Sequence, residues 1–395
     1  MPGPDAPIIR CEDVDVDEVL SGILAWVSIE TPSRRPDQIA KLLDHAETDL
    51  ADLPISRRRI PGRDGLGGHL VLTYDPASQG GPHALAMGHV DTVWDVGTLA
   101  ARPIRTEDGK VYGPGIYDMK AGSYLAYWAI RELARRRITP PRPVTVLLNS
   151  DEEIGSPTSR SLIEEMGDAA AFVLVPEPAI GDGVAAVTSR KGWGRFTLKV
   201  QGLAAHAGAN HEDGRSAIRE IARQILELEA MTDYAAGTTV NVGVVAGGTL
   251  LNVVPADACI EIDLRVRDPS SAEDAVAAIL GRKPHDPDVT LTVEGGINRP
   301  PFRRDAGVVR LYEAAAELAE KLGFALPEAA RGGVSDGNFT AARGHPTLDG
   351  LGCGGAGAHA VSEHITLASI APRAALMAGM MGSGRFQKHA LGETK

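Results

Sequence analysis

Apolar positions along the first third of the chain recur with two different periods. Helical spacing of Val, Leu, Ile and Ala predicts helices over residues 15–29 and 36–53, with Thr31-Pro32-Ser33 between them as stop and cap. Continuous apolar runs then take over. His69–Tyr74, Ala84–Gly88, Val144–Asn149 and Ala171–Val175 read as buried strands. Thr106-Glu107-Asp108-Gly109-Lys110 reads as a hairpin turn, and helices are expected over 119–136 and around 157–166. This rhythm predicts an α/β fold, a mixed, mostly parallel sheet flanked by helices, whose ligands bind beyond the carboxyl ends of the strands.

The pattern changes near residue 188. Strict alternation over 194–201, an amphipathic helix over 212–231, strands at 238–246 and 256–267, a helix at 271–281 and a strand at 289–294 describe an inserted α+β two-layer domain. Its expected span is 188–301, with 1–187 and 302–395 forming the first domain. Helices over 306–322 and 367–384, around a glycine-rich segment at 332–337, complete that domain, and the first and last ten residues are expected to fray.

Composition narrows the class. The 395 residues are 43% apolar and 23% charged, which suits a globular chain of two domains. A net charge of -12 argues against nucleic acid and against a basic membrane anchor. No apolar run has the length of a membrane span, and the N-terminus lacks the pattern of a signal peptide. The three cysteines, Cys11, Cys259 and Cys353, are far apart and odd in number, so buried thiols in a reducing cytoplasm are expected rather than disulfides.

Polar clusters fall where the fold class puts a site. His89 and Asp91 close one strand, and two residues of strand place both side chains on one side, so the carboxylate can reach the imidazole's second nitrogen. Alone, the pair also fits a satisfied polar strand end. Asp118 lies in the glycine-broken loop Tyr112-Gly113-Pro114-Gly115-Ile116-Tyr117-Asp118, Glu152 and Glu153 follow another strand, and Glu177 sits between Pro176 and Pro178. His359 ends the loop Gly352-Cys353-Gly354-Gly355-Ala356-Gly357-Ala358. Acids gathered at one sheet edge repel unless cations neutralise them, and two divalent metals solve that problem. A mixed His/carboxylate set suits zinc, with cobalt or manganese as substitutes.

In this order the motifs resemble the M20 family of metallopeptidases, especially its glutamate carboxypeptidase branch, over nearly the whole chain. The resemblance implies the di-zinc exopeptidase fold, with His89, Asp118 and Glu177 on one metal, Asp118, Glu153 and His359 on the other, and Asp118 bridging. It further implies that Asp91 orients His89, that the Asp118–Met119 peptide is cis, and that Glu152 is the general base. His206, in Gly202-Leu203-Ala204-Ala205-His206, would stabilise the oxyanion in a partner's site, which implies a homodimer joined through 188–301.

The substrate-side expectations follow. Asn252 would donate to the substrate, and the forks of Arg265 and Arg299 suit carboxylates. Gly333, in Gly332-Gly333-Val334-Ser335-Asp336, would lie near the scissile group, with Val334 where the branch often has a third glycine and Asp336 capping the next helix. The expected activity is removal of a C-terminal, acidic amino acid from a small N-acyl or peptidyl substrate. The alternative is an N-acyl-amino-acid deacylase or dipeptidase with another side-chain preference.

Overall fold

The computed structural model describes residues 8–180 and 185–393. The chain separates into two compact units: Met1–Ser189 with Arg304–Arg331 and Ser335–Lys395, and Arg190–Arg303 with Gly332–Val334.

The first unit begins with α1 (Val16–Val27), α2 (Pro36–Asp49), β1 (Ser56–Ile60), β2 (His69–Tyr74), β3 (His83–His89), α3 (Ala121–Arg135), β4 (Val144–Asn149), α4 (Arg160–Asp168) and β5 (Ala170–Leu174). The second unit holds β6 (Gly192–Gln201), α5 (Ala217–Glu229), β7 (Thr239–Gly247), β8 (Asp257–Val266), α6 (Pro269–Leu280) and β9 (Thr290–Arg299). The first unit resumes with α7 (Ala306–Lys321), β10 (Thr347–Leu348), α8 (Ile370–Gly382) and α9 (Gly384–Leu391).

The sheet of the first unit runs β1-β2-β4-β3-β5-β10. The pairings β4–β3, β3–β5 and β5–β10 are parallel, whereas β1–β2 and β2–β4 are antiparallel. Each residue of β4 is buried, as both-face coverage by helices requires. Helix α3 is buried from Ala121 to Ala134 and packs against α8 within one continuous core.

In the second unit the sheet runs β7-β8-β6-β9 and is antiparallel throughout. Burial alternates along β6 and β8, so Phe196, Leu198, Val200, Ile260, Ile262 and Leu264 form one apolar face. Ala217, Ile221 and Leu228 of α5 close over that core, and Ser216 caps the helix by accepting Arg219 N–H at 3.2 Å.

Several expectations need correction. Thr31-Pro32-Ser33 does not cap α2, which opens on Pro36 with no side-chain cap at Arg35. Thr31 instead donates its hydroxyl to the Val90 carbonyl at 2.6 Å, and Ser33 donates to Asp91 Oδ2 at 2.6 Å. The helix expected from 119 begins at Ala121, after a non-helical Asp118 and Met119 joined by a cis peptide bond. The strand expected over 289–294 continues to Arg299.

The chain ends are better ordered than expected within the described residues. Ile9 is fully buried. Residues 384–391 form α9, capped by Ser383, with Phe386 edge-on to Phe172 at 5.8 Å between centroids. Burying such a ring contributes about 1.5–3 kcal/mol, enough to fix a two-turn helix. Residues 1–7 and 394–395 lie outside the described set.

Candidate metal centre

Three adjacent parallel strands, β4, β3 and β5, end at the same edge of the sheet. His89 pairs with Asn149, and Ala86 pairs with Leu174. Strand β5 ends at Leu174, and Glu177 follows three residues later with its Oε1 3.7 Å from His89 Nε2. Glu152 and Glu153 follow Asn149 in a 3-10 turn. Parallel pairing alone therefore gathers His89, Glu153 and Glu177, although they are far apart in sequence.

Asp118 reaches the same edge from the loop before α3. Close packing holds that helix against the strand ends: a Cβ on Gly122 would meet the Pro176 carbonyl oxygen, so only glycine fits there. Ser123 donates to the His89 carbonyl at 2.7 Å. His359 arrives from the late glycine-rich loop and adopts φ 61°, a left-handed conformation uncommon outside glycine.

The two oxygens of Asp118 face different imidazoles. Oδ1 lies 3.4 Å from His89 Nε2, and Oδ2 lies 3.3 Å from His359 Nε2. His89 Nε2 is also 3.7 Å from Glu177 Oε1, and His359 Nε2 is 3.2 Å from Glu153 Oε2. Ligand atoms of His89, Asp118 and Glu153 all lie within 4.8 Å of one another. The structure thus brings His89, Asp118, Glu153, Glu177 and His359 together.

Burial and neighbouring charges pull on each of these groups. Burial pulls the His89 imidazole down, but Asp118 and Asp91 beside it push its pKa well above the usual value. Burial raises Asp118, yet His359 and His89 hold it below the ordinary carboxylate range. Burial pushes Glu153 up, and the neighbouring Asp118 charge adds to this. Asp118 and Glu153 together push His359 up to about 10. Even so, His89 Nε2 and Glu153 Oε1 are buried without a hydrogen-bond partner. Two orphaned ligand atoms among carboxylates and imidazoles fit a bound cation, which would replace the protons and satisfy both atoms.

Asp91 meets His89 Nδ1 with both its backbone and its side chain. The contact to His89 Nδ1 comes foremost from the Asp91 backbone carbonyl, at 2.9 Å, while the carboxylate Oδ1 stands 3.4 Å away. A carbonyl only accepts, so Nδ1 carries a proton and Nε2 is turned toward the centre. The Asp91 carboxylate receives the backbone N–H groups of Glu152 and Glu153, each at 3.2 Å, and the Ser33 hydroxyl. It therefore fixes the turn that carries both glutamates. Glu152 is half-buried and close enough for its charge to raise His89.

One acid escaped the sequence reading. Glu363, 2% exposed, accepts N–H groups from Gly115, Tyr117 and Asp118 and the indole N–H of Trp94. Burial pushes its carboxyl up against the pull of these donors. Its position four residues after His359, in an otherwise uncharged stretch, was the available signal. Lys120 was likewise missed: burial lowers its ammonium to about 7, and it donates to the Ile29 carbonyl at 2.5 Å.

The second unit carries the other candidates. His206 is exposed, and its Nδ1 accepts the N–H groups of Gly208 and Ala209 at 3.1 Å each. Ala207 donates to the Asn252 carbonyl at 2.9 Å, and His206 bridges to Val253, which sets Asn252 beside His206. Arg265 does not present an open fork, because Asp263 accepts from its Nε at 2.8 Å and from its terminal nitrogen at 3.0 Å. Arg299 is 1% exposed and donates to Asn298 Oδ1 at 2.8 Å. The Gly333 carbonyl accepts from Arg190 at 3.1 Å. Asp336 does not cap the helix that follows it; it accepts from Asn149 at 2.7 Å and from Ser156 at 2.5 Å. Its carboxylate is thereby committed to the first unit's buried polar network.

Comparisons with known proteins show which family the chain is similar to. The model of peptidase family M20/M25/M40 matches residues 85–383. Carboxypeptidase G2 of Pseudomonas sp. (strain RS-16) is 30% identical, over 92% of this chain and 88% of the relative. Acetylornithine deacetylase of Myxococcus xanthus is 29% identical, over 75% of this chain and 82% of the relative. The crystal structure of aminopeptidase PepT from Bacillus cereus shares the fold, with a TM-score of 0.76 at 23% identity, covering 93% of this chain and 98% of that one. Among the described residues, no helix is long and apolar enough to cross a membrane.

Proposed function

The chain belongs to peptidase family M20/M25/M40, and on that premise we propose that this hydrolase of peptide or amide bonds is a two-metal carboxypeptidase, releasing a C-terminal, glutamate-like amino acid from small N-acyl or peptidyl substrates. The observation that carries the reading is Asp118, with one oxygen toward His89 and the other toward His359. In this reading His89, Asp118 and Glu177 would hold one cation, and Asp118, Glu153 and His359 the other. Zinc fits the donor set best, with cobalt or manganese as substitutes. Such cations, when bound, supply Lewis acidity that polarises an amide carbonyl and lowers the pKa of water.

The protein's own groups perform the proton transfers. Glu152, held by its backbone N–H on Asp91, would take the proton of the attacking water and pass it to the leaving amine nitrogen. His206 accepts at Nδ1, so a neutral ring carries its proton on Nε2 and presents a donor for the developing oxyanion. Asn252 beside it would add a donor to the substrate carbonyl or carboxylate. Of Arg299 and Arg265, one would hold the substrate's α-carboxylate and the other an acidic side chain, Arg265 by exchanging Asp263 for it. Gly333 would line the scissile group, with Val334 narrowing the space.

A homodimer formed through residues 188–301 completes the reading. Strand β7 is an edge of its sheet, with Val244 56% and Val245 63% exposed. An uncovered apolar edge favours pairing with another copy. Three unpaired cysteines suit a reducing compartment, and we assign the protein to the cytoplasm.

A hydrolysis screen of N-acyl amino acids, varying only the C-terminal residue, tests the substrate assignment. The expected outcome is highest kcat/KM for glutamate and aspartate. Preference for neutral residues would favour the deacylase or dipeptidase reading, which Val334 and the acetylornithine deacetylase relative support.

A further inference from the structure

We propose that Glu363 is the positioning residue for Asp118, and that it couples the loop carrying Asp118 to the loop carrying His359. The inference rests on the reading of Asp118 and His359 as metal ligands. Glu363 Oε1 accepts the N–H groups of Tyr117 at 3.0 Å and Asp118 at 3.1 Å. Oε2 accepts Gly115 N–H at 2.8 Å and the Trp94 indole at 2.7 Å. All acceptor capacity in the inward-facing carboxylate is thus directed at one turn and one aromatic ring.

The geometry explains why a charged group is buried there. The N–H groups of Gly115, Tyr117 and Asp118 converge on one side of the turn, an arrangement that attracts an anion. A buried carboxylate is costly unless it is hydrogen-bonded, and these four donors meet that requirement. Glu363 itself follows His359 by four residues, and its own N–H donates to the Ala360 carbonyl at 3.0 Å, closing the segment into a turn. The Gly113 N–H donates to the Glu363 carbonyl at 3.4 Å, a second tie between the two loops. Movement of either loop therefore carries the other, and the separation between Asp118 Oδ2 and His359 Nε2 is held through Glu363.

Glu363→Gln tests this. The amide keeps one acceptor oxygen, and whichever way it turns, its NH2 faces two N–H donors. The expected result is a zinc Kd raised about 10–100-fold, as for other groups that orient ligands. The kcat should fall while KM changes less than about twofold, because substrate-binding groups are untouched. Glu363→Asp retains two acceptor oxygens and should recover part of the zinc affinity. Glu220→Gln is the structural control: Glu220 is 2% exposed and accepts His285 N–H at 3.0 Å in the second unit. It should lower Tm and leave zinc Kd unchanged.

A folded E363Q protein with wild-type zinc Kd and kcat overturns the inference, whatever its Tm. If E363Q does not fold, W94F, which removes only the indole donor, should still raise zinc Kd together with E363D; wild-type affinity in both overturns the inference. If the unmutated protein binds no divalent metal, the reading of the site falls, and this inference with it.

Discussion

The backbone N–H of Glu152 points at the carboxylate of Asp91, 3.2 Å from Oδ1. The next N–H, of Glu153, lies 3.2 Å from Oδ2 of the same group. A base and a ligand candidate thus hang from one buried anion, which the Ser33 hydroxyl secures at 2.6 Å. Asp91→Asn leaves one acceptor where three donors converge. We expect kcat to fall about 10–100-fold, with weakened zinc binding, as for other groups behind metal ligands. Steady-state kinetics with elemental analysis check this; activity within twofold of wild type would show that the carbonyl contact to His89 suffices.

Glu152→Gln separates chemistry from metal binding. The amide cannot take a proton, yet no proposed ligand changes. Turnover should drop by at least about 10²–10⁴-fold, the usual contribution of a positioned acid–base group. Zinc content should stay at the wild-type level. A simultaneous loss of metal would instead make Glu152 a ligand.

The sheet edge was legible because parallel strands share their carboxyl ends, and the strands themselves were continuous apolar runs. His89, Glu153 and Glu177 were therefore readable as polar groups at strand ends, while their roles came from the family resemblance. Strand β1 was not legible: its sequence Ser56-Arg57-Arg58-Arg59-Ile60 has no apolar face, as an exposed edge permits. Helix α9 hid for a similar reason, since only Phe386, Gln387 and Ala390 are buried. Glu363 was signalled only by its place four residues after His359; its partners are mostly backbone N–H groups some 245 residues away, which no side-chain pattern announces. Arg265 looked like an open fork because the sequence does not reveal that Asp263, on the same strand, bends back to it.

Zinc and protons should compete for the centre. In the metal-free protein His359 is pushed from 6.5 up to about 10 by Asp118 and Glu153. A raised folded-state pKa stabilises the metal-free protein fully below about pH 6.5, and that contribution disappears as pH rises through about 10. Tm of chelator-treated protein should accordingly fall over this window. Zinc must displace the same proton, so its measured affinity should rise over the same pH range and binding should release protons. Calorimetry in buffers of different ionisation enthalpy reads the release. Zinc affinity independent of pH between 6 and 10 would contradict the His359 assignment.

Two inactive variants can decide whether His206 serves its own site or a partner's. His206→Ala alone should lower kcat by about 10²–10³-fold, the loss usual for one oxyanion donor. Its metal content should not change, since His206 belongs to the second unit and is not one of the proposed ligands. E152Q keeps His206 but lacks the base. In a mixed dimer of the two, the H206A protomer contributes Glu152 and the E152Q protomer contributes His206. If the histidine crosses between subunits, one of the two sites in each mixed dimer is complete. Random reassociation of equal amounts then restores about a quarter of wild-type activity, because half the dimers are mixed. If His206 serves its own protomer, no site is complete in any combination, and mixing leaves activity at the level of the separate variants.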